Sequence, residues 1–271
     1  MYFHPAVIQK IFARSAATYQ TASALYQEAA HRLLEHLDWA RLQPVCVLDL
    51  GAGTGHFTEL LKKRYPYAAV LAVDVVKEVL QTGGICADAA NLPLQNSSVD
   101  LVVSGLMLPW CNDNEAVFKE VSRVLKPGGL FLFSTFGPDT LGEMRASWAS
   151  VDDQPHVHLF FDLHDVGDAL LRAGFADPVM QTEWLTMLYQ DVYQVCRDLK
   201  QTGSSNILLD RRMTLTGKKR FLGFVAEYET YRDGAGKLPA TFEIVYGHCW
   251  QAAKKGGDAR EILIPVSQIR R

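Results

Sequence analysis

Near the start of the chain the apolar residues recur at three- and four-residue spacing. Ile8, Ile11 and Phe12, then Leu25, Ala29, Leu33, Leu34 and Leu37, stand among Gln, Glu, His and Arg. That spacing gathers them on one face and predicts helical structure over 5–38. From residue 45 the pattern changes. VCVLDL (45–50), AAVLAVD (68–74), VDLVVSGL (99–106) and GLFLFSTF (129–136) are short apolar runs without polar alternation. Such runs suit strands covered on both faces, as in a parallel sheet. Helical stretches separate them. HFTELLKKRY (56–65) follows a glycine-rich turn, and LHDVGDALLRAGF (163–175) ends at Gly174. EAVFKEVSRVL (115–125) sets Val117, Phe118, Val121, Val124 and Leu125 on one face and stops at Lys126-Pro127-Gly128-Gly129, a helix terminator. The alternation predicts a doubly wound α/β sheet.

Two further strands are expected late, VMQTEWLTMLY (179–189) and ATFEIVYGHCW (240–250), paired antiparallel at one sheet edge. The segment between them is far too long for a hairpin loop, so it must carry structure of its own. Helices are expected near 190–201 and 217–231, around the turn TGSSN (202–206). The tail, KKGGDAREILIPVSQIRR, is expected to be loosely held.

With 271 residues, 48% of them apolar and 21% charged, the chain has ordinary globular composition. Its 27 Lys and Arg against 30 Asp and Glu give no global attraction to nucleic acid or an anionic membrane. Charge is uneven, however. Between 197 and 220 seven cations (Arg197, Lys200, Arg211, Arg212, Lys218, Lys219, Arg220) face two anions, Asp198 and Asp210. A basic patch of that kind suits an acidic macromolecular partner. The five scattered cysteines form no C-x-x-C pair, which argues against a disulfide framework and a zinc site, and His156-x-His158 lacks a visible third ligand. No metal is expected. Neither a signal peptide nor a membrane span is visible, so the expected compartment is the cytoplasm.

The chemistry-bearing segment is Val47-Leu48-Asp49-Leu50-Gly51-Ala52-Gly53-Thr54-Gly55, a buried strand running through alternate glycines into a helix. The glycines let the backbone turn tightly and a ligand approach closely. A dinucleotide fingerprint needs G-x-G-x-x-G, but His56 stands where that pattern requires glycine. Asp49 at the strand end would repel a diphosphate and suits a ligand bearing an ammonium group. Asp74 ends the second strand, a position beside ribose hydroxyls.

These residues resemble the class I S-adenosylmethionine (AdoMet) methyltransferases, whose glycine loop has the D-x-G-x-G-x-G form of 49–55. The match runs on through Ala87-Asp88-Ala89-Ala90-Asn91-Leu92-Pro93, Leu106-Met107-Leu108-Pro109-Trp110 and Leu125-Lys126-Pro127-Gly128-Gly129. The resemblance implies a Rossmann-like, mostly parallel seven-stranded sheet with an antiparallel edge strand. It also implies AdoMet as methyl donor: its methionine part at Asp49, Gly51, Ala52, Gly53 and Gly55, its ribose at Asp74 and Val75, its adenine at Asp88 and Ala89, with Leu106 alongside.

Methyl transfer from a sulfonium is an in-line displacement, and a carboxylate acceptor needs no base because it is ionised near neutral pH. Ser104-Gly105-Leu106-Met107-Leu108-Pro109-Trp110 offers no carboxylate, His or Asn-Pro-Pro-Tyr-like group to serve an amine, which favours a carboxylate. Phe12-Ala13-Arg14-Ser15-Ala16-Ala17-Thr18-Tyr19, Leu141-Gly142-Glu143-Met144-Arg145-Ala146-Ser147-Trp148 with Val151-Asp152, Asp198-Leu199-Lys200-Gln201-Thr202-Gly203 and Pro239-Ala240-Thr241-Phe242 carry the likeness further. They resemble the malonyl-acyl-carrier-protein O-methyltransferases of biotin synthesis, which esterify the free carboxylate of a carrier-bound malonyl thioester so that it can be elongated toward pimelate.

That resemblance implies an N-terminal lid (1–40) bearing Tyr19, an AdoMet-binding core (41–189), a helical cap (190–239) and a last strand with tail (240–271). Acidic carrier protein would dock on Arg211, Arg212, Lys218, Lys219 and Arg220. Arg145, then Lys200, are the candidate cations for the malonyl carboxylate, since a guanidinium fork takes a carboxylate bidentately. Thr135-Phe136-Gly137-Pro138-Asp139-Thr140-Leu141 through Arg145 also resembles the methyltransferase-like complex I assembly factors that hydroxylate a protein arginine. A small-molecule AdoMet methyltransferase is the remaining enzyme alternative, whereas the intact glycine loop with Asp49 and Asp74 weighs against a non-catalytic AdoMet-binding scaffold.

Overall fold

The computed structural model describes residues 3–252. Its first half runs α1 (Pro5–Ala22), α2 (Ala24–Glu35), β1 (Cys46–Leu50), α3 (His56–Arg64), β2 (Ala69–Asp74), β3 (Ile85–Cys86), β4 (Val99–Gly105), α4 (Asn114–Val124) and β5 (Leu125–Phe136). Then come α5 (Gly142–Ala149), α6 (Leu163–Arg172), β6 (Phe175–Tyr189), α7 (Val192–Gln201), α8 (Lys218–Tyr228) and β7 (Leu238–Gln251). The expected loose tail lies outside the described residues.

Seven strands form one sheet in the order β3-β2-β1-β4-β5-β7-β6. β3, β2, β1, β4 and β5 pair in parallel, and β7 runs antiparallel to both β5 and β6. The late antiparallel pair therefore closes one edge, as its partial alternation predicts. Strand order reverses around β1, and a crevice opens beyond the carboxyl ends of β1 and β4, where open α/β sheets bind ligands.

The apolar runs lack polar alternation because both faces of the sheet are covered. Val47, Leu101, Val103, Leu130 and Leu132 pack with Leu33, Leu37 and Leu61 on one side. Leu48, Val102, Phe131 and Phe133 pack with Phe118, Val121 and Leu170 on the other. Successive side chains of a strand point to opposite faces, so each run feeds two cores. Gly247 makes room for one of these rings: a Cβ there would come 2.3 Å from Phe133.

The helical stretch expected over 5–38 resolves into α1, α2 and a 3-10 turn, His36–Asp38, with a break at Ser23. Ser23 Oγ donates to the Gln20 carbonyl (3.3 Å) and accepts from Gln27 Nε2 (3.0 Å), a local competition with the helix ladder. The insertion before the last strand carries α7 and α8, as its length demands.

Candidate functional site

The crevice beyond β1 and β4 holds a cavity of 360 Å³. Its floor is the loop after β1. Gly51 and Ala52 donate their backbone N–H groups to the Val73 carbonyl, at 2.8 and 3.0 Å. Gly53 N–H donates to Asp74 Oδ2 (2.9 Å) and Val76 N–H to Asp74 Oδ1 (2.8 Å). Asp74 thus pins the glycine loop while facing the cavity. Gly51, Gly53 and Gly55 have φ of +80°, +52° and +85°, a region that disfavours side chains. A Cβ at Gly51 would come 2.3 Å from Met107, whereas Gly53 faces open space. Leu106 has φ +53° without being glycine, strain of the kind that gathers at binding sites.

Behind the loop lies Asp49, 1% exposed. One carboxylate oxygen, Oδ2, accepts from Thr58 Oγ1 at 2.5 Å. The other, Oδ1, is buried without a partner. Burial pushes this carboxyl up, the Thr58 hydrogen bond opposes that, and nearby Asp74 adds to it, leaving the group at about 7. Burial also raises Asp74, against the N–H groups of Val76, Gly53 and Val75. Two carboxyls short of counter-charge beside glycine backbone that a Cβ would obstruct are what a cationic nucleoside donor such as AdoMet requires.

Of the residues picked out from the sequence, Gly51, Gly53, Asp74, Val75, Asp88, Ala89 and Leu106 line this cavity. Asp49, Ala52 and Gly55 stand behind it. From α1, Ile8, Phe12 and Tyr19 form its roof. Tyr19 packs on Tyr26 at 5.5 Å, and burial holds its phenol well above the usual value.

A second cavity, of 310 Å³, adjoins the first, and Tyr26 and Trp110 line both. Its wall is largely apolar (Leu25, Phe136, Leu141, Met144, Phe160, Met187, Phe242), with His158, Asp198, Lys200, Thr202 and Ser204 among the polar members. Lys200 is exposed. Arg145 lines neither cavity. Its guanidinium donates to the carbonyls of Pro138 (2.9 Å), Thr140 (3.1 Å) and His158 (3.5 Å), so it ties loops behind the wall. Cys111 in the first cavity and Cys196 in the second are pushed up by burial, to about 12 and about 11, and carry no thiolate at neutral pH.

A methyltransferase domain model matches residues 48–133, the stretch that builds the first cavity. A malonyl-acyl-carrier-protein O-methyltransferase of Nitrosospira multiformis is 42% identical, covering 92% of this chain and 89% of its own. One from Coxiella burnetii is 41% identical over 97% of this chain and 95% of its own. The chain belongs to the malonyl-acyl-carrier-protein O-methyltransferase family. Among solved structures, the YcgJ protein of Bacillus subtilis shares the fold, with TM-score 0.57 at 18% identity over 82% of this chain and 98% of that one.

In this O-methyltransferase family member α5 and α8 are joined by a stack. Trp148 lies between His156 (3.8 Å, 7°) and Phe224 (4.3 Å, 7°). His156 Nε2 is bonded to Asp152 Oδ1 (2.8 Å), and Asp152 Oδ2 accepts from Arg212 (3.2 Å) with Arg220 at 3.9 Å. Arg211 donates to the Leu208 carbonyl (2.6 Å). Three of the five patch cations therefore have internal work, while Lys218 and Lys219 are exposed, as are Met213 and Leu215 in the preceding segment. Among the described residues no three His, Cys, Asp or Glu gather to hold a metal, and no helix is long and apolar enough to cross a membrane.

α1 also rests on the insertion. Thr18 Oγ1 donates to the Gln201 carbonyl (3.0 Å), and a Cβ at Gly203 would lie 2.9 Å from both Phe12 and Ser15. The sequence pattern did not single out Tyr26, Thr58, Thr202 or Ser204. Tyr26 gives only a faint signal, a polar-tipped ring inside the apolar stripe of α2.

Proposed function

We propose that this chain transfers the methyl group of AdoMet to the free carboxylate of malonyl-acyl-carrier protein. The observation that carries the reading is the pair of adjoining cavities: one built for a cationic donor, one largely apolar, sharing a thin aromatic wall. The names of the relatives support the malonyl thioester as the acceptor, and with it an ester elongated toward pimelate for biotin.

Bound AdoMet supplies an electrophilic methyl on a positively charged sulfur. Asp49, with the loop at Gly51, Ala52, Gly53 and Gly55, holds the methionine part. Asp74 and Val75 take the ribose, Asp88 and Ala89 the adenine, and Tyr19 with α1 serves as the lid that excludes water. An acceptor carboxylate oxygen forms its new bond to the methyl carbon as the carbon–sulfur bond breaks, the bonding pair leaving on sulfur. No proton moves, so no general base is needed at the wall, and His158 there is pushed down to about 4 by burial.

Lys200 at the second cavity's edge guides the malonyl group inward, and Arg145 fixes the loops that shape that wall. Carrier protein docks at Lys218 and Lys219, with Arg211, Arg212 and Arg220 framing the patch. Five free cysteines suit a reducing compartment, the cytoplasm. Incubation with labelled AdoMet and malonyl-carrier protein, beside malonyl-CoA, tests the reading. Label in the carrier-bound ester is expected. Donor binding without turnover on any acyl thioester overturns it.

A further inference from the structure

An acceptor carboxylate that attacks a methyl held in the first cavity must arrive at the wall formed by Tyr26 and Trp110. There it has left bulk water, and an anion buried without donors is costly. The cations suggested by the sequence are not at that wall. Arg145 lines neither cavity and gives its two terminal nitrogens to three backbone carbonyls, its buried Nε having no partner, and Lys200 is exposed, two residues from Asp198 on α7.

Uncharged donors are at the wall instead. Thr202 Oγ1 lies 3.1 Å from Ser204 Oγ, with the Asp198 (3.0 Å) and Leu199 (3.2 Å) carbonyls competing for its one proton, and Ser204 Oγ lies 2.6 Å from Tyr26 Oη. When Ser204 donates to Tyr26, the Tyr26 O–H has no further acceptor among the described residues, and when Thr202 in turn donates to Ser204 the three hydroxyls form a one-way chain. Burial raises the Tyr26 phenol, against the opposing pull of Ser204 and Thr202, so it keeps that proton. Such a chain strengthens its terminal donor. His158, edge-on to Trp110 at 5.3 Å, adds to the same uncharged lining. Its Nε2 accepts from the Ile207 N–H at 3.4 Å, which puts its proton on Nδ1.

An uncharged donor suits this displacement. The carboxylate and the sulfonium lose their charges together, so the transition state is less polar than the bound reactants. A tight ion pair to Arg or Lys would stabilise the reactants more than the transition state and slow the step. One hydroxyl hydrogen bond orients the nucleophile and leaves its other lone pairs available.

We propose that Tyr26, held by Ser204 and Thr202, is the group that receives the acceptor carboxylate where the two cavities meet. The assignment rests on reading the chain as a malonyl-thioester methyltransferase. Its test is a pair of affinities, measured with S-adenosylhomocysteine bound so that no turnover occurs. Malonyl-carrier protein and its methyl ester differ at the carboxylate alone. Tyr26→Phe keeps the ring wall and removes the donor. It is expected to weaken binding of the acid about tenfold or more, the scale of one hydrogen bond to a charged group, and to change ester and S-adenosylhomocysteine affinities less than about twofold.

Equal weakening of acid and ester, or no weakening, overturns the assignment. If Tyr26→Phe no longer binds S-adenosylhomocysteine, Ser204→Ala carries the same comparison with the ring wall intact, and an unchanged acid-to-ester ratio there overturns it. Wild-type protein that methylates malonyl-carrier protein while the variants keep the wild-type ratio defeats the Tyr26 role alone. Wild-type protein that leaves the malonyl thioester unmethylated defeats the function from which it follows.

Discussion

Asp49 is a carboxyl whose protein environment holds its proton more tightly than water does. Its ordinary value of 3.8 rises to about 7 in the folded chain, so between these limits the native state binds more protons than the unfolded one. Stability of the donor-free protein is therefore expected to fall as pH rises from about 4 to about 7. Asp49→Asn, which still accepts from Thr58, should flatten that slope in thermal melts between pH 5 and 8. The same variant should lose at least tenfold in AdoMet affinity by titration, since it withdraws a charged partner from the donor. A retained slope would assign the effect to another group. Asp49, the glycines and Asp74 were legible in the sequence because one strand, one turn and the tip of the next strand bring them together locally. Tyr26 was not legible: its partner Ser204 lies 178 residues away, and only the folded insertion supplies that hydroxyl.

Among the elements, those with a periodic face, an uninterrupted apolar run or a marked preceding turn were foreseen, and those with none of these were not. α4 announces itself by four apolar positions, Val117, Phe118, Val121 and Val124, and α3 by the turn that precedes it. Leu125 and the Pro-Gly-Gly expected to stop α4 fall instead at the start of β5, so the helix ends one residue earlier and passes directly into the strand. β3 has two residues, too few to show a period. α5 has a weak pattern of its own and is fixed by tertiary partners: Glu143 accepts from Thr241 Oγ1 at 2.5 Å, and Trp148 reaches across to α8. The break at Ser23 is a side-chain competition that periodicity does not register. Trp148 is the pin between α5 and α8. Trp148→Ala should cost roughly 3–5 kcal/mol in denaturant unfolding, as for other buried aromatic truncations. It should also raise KM for malonyl-carrier protein more than that for AdoMet, because the donor cavity lies on other elements. Equal effects on both substrates would deny α8 a part in acceptor binding.

At the scale of the whole molecule a chain of net charge −3 presents a local positive face on its insertion. Lys218 and Lys219 open α8, where the helix dipole disfavours cations, and the proposed docking of acidic carrier protein would give that placement a use. The Lys218→Glu, Lys219→Glu double variant should raise KM for malonyl-carrier protein about tenfold at low ionic strength, with the gap closing toward molar salt. AdoMet affinity, read by calorimetry, should be unmoved. A salt-independent difference would point to lost packing instead.

Gly203 is the seat on which Phe12 and Ser15 rest. In the proposed role of α1 as the lid, its contacts with Gly203 and Gln201 would tie its movement to the bend beside the second cavity, so molecules should come and go in a fixed queue: nucleoside in first, ester out before thioether. S-adenosylhomocysteine is then expected to compete with AdoMet and not with the malonyl thioester in initial-rate plots. Gly203→Ala, by propping that seat open with a single methyl group, should hasten thioether escape and turn the queue into a free-for-all.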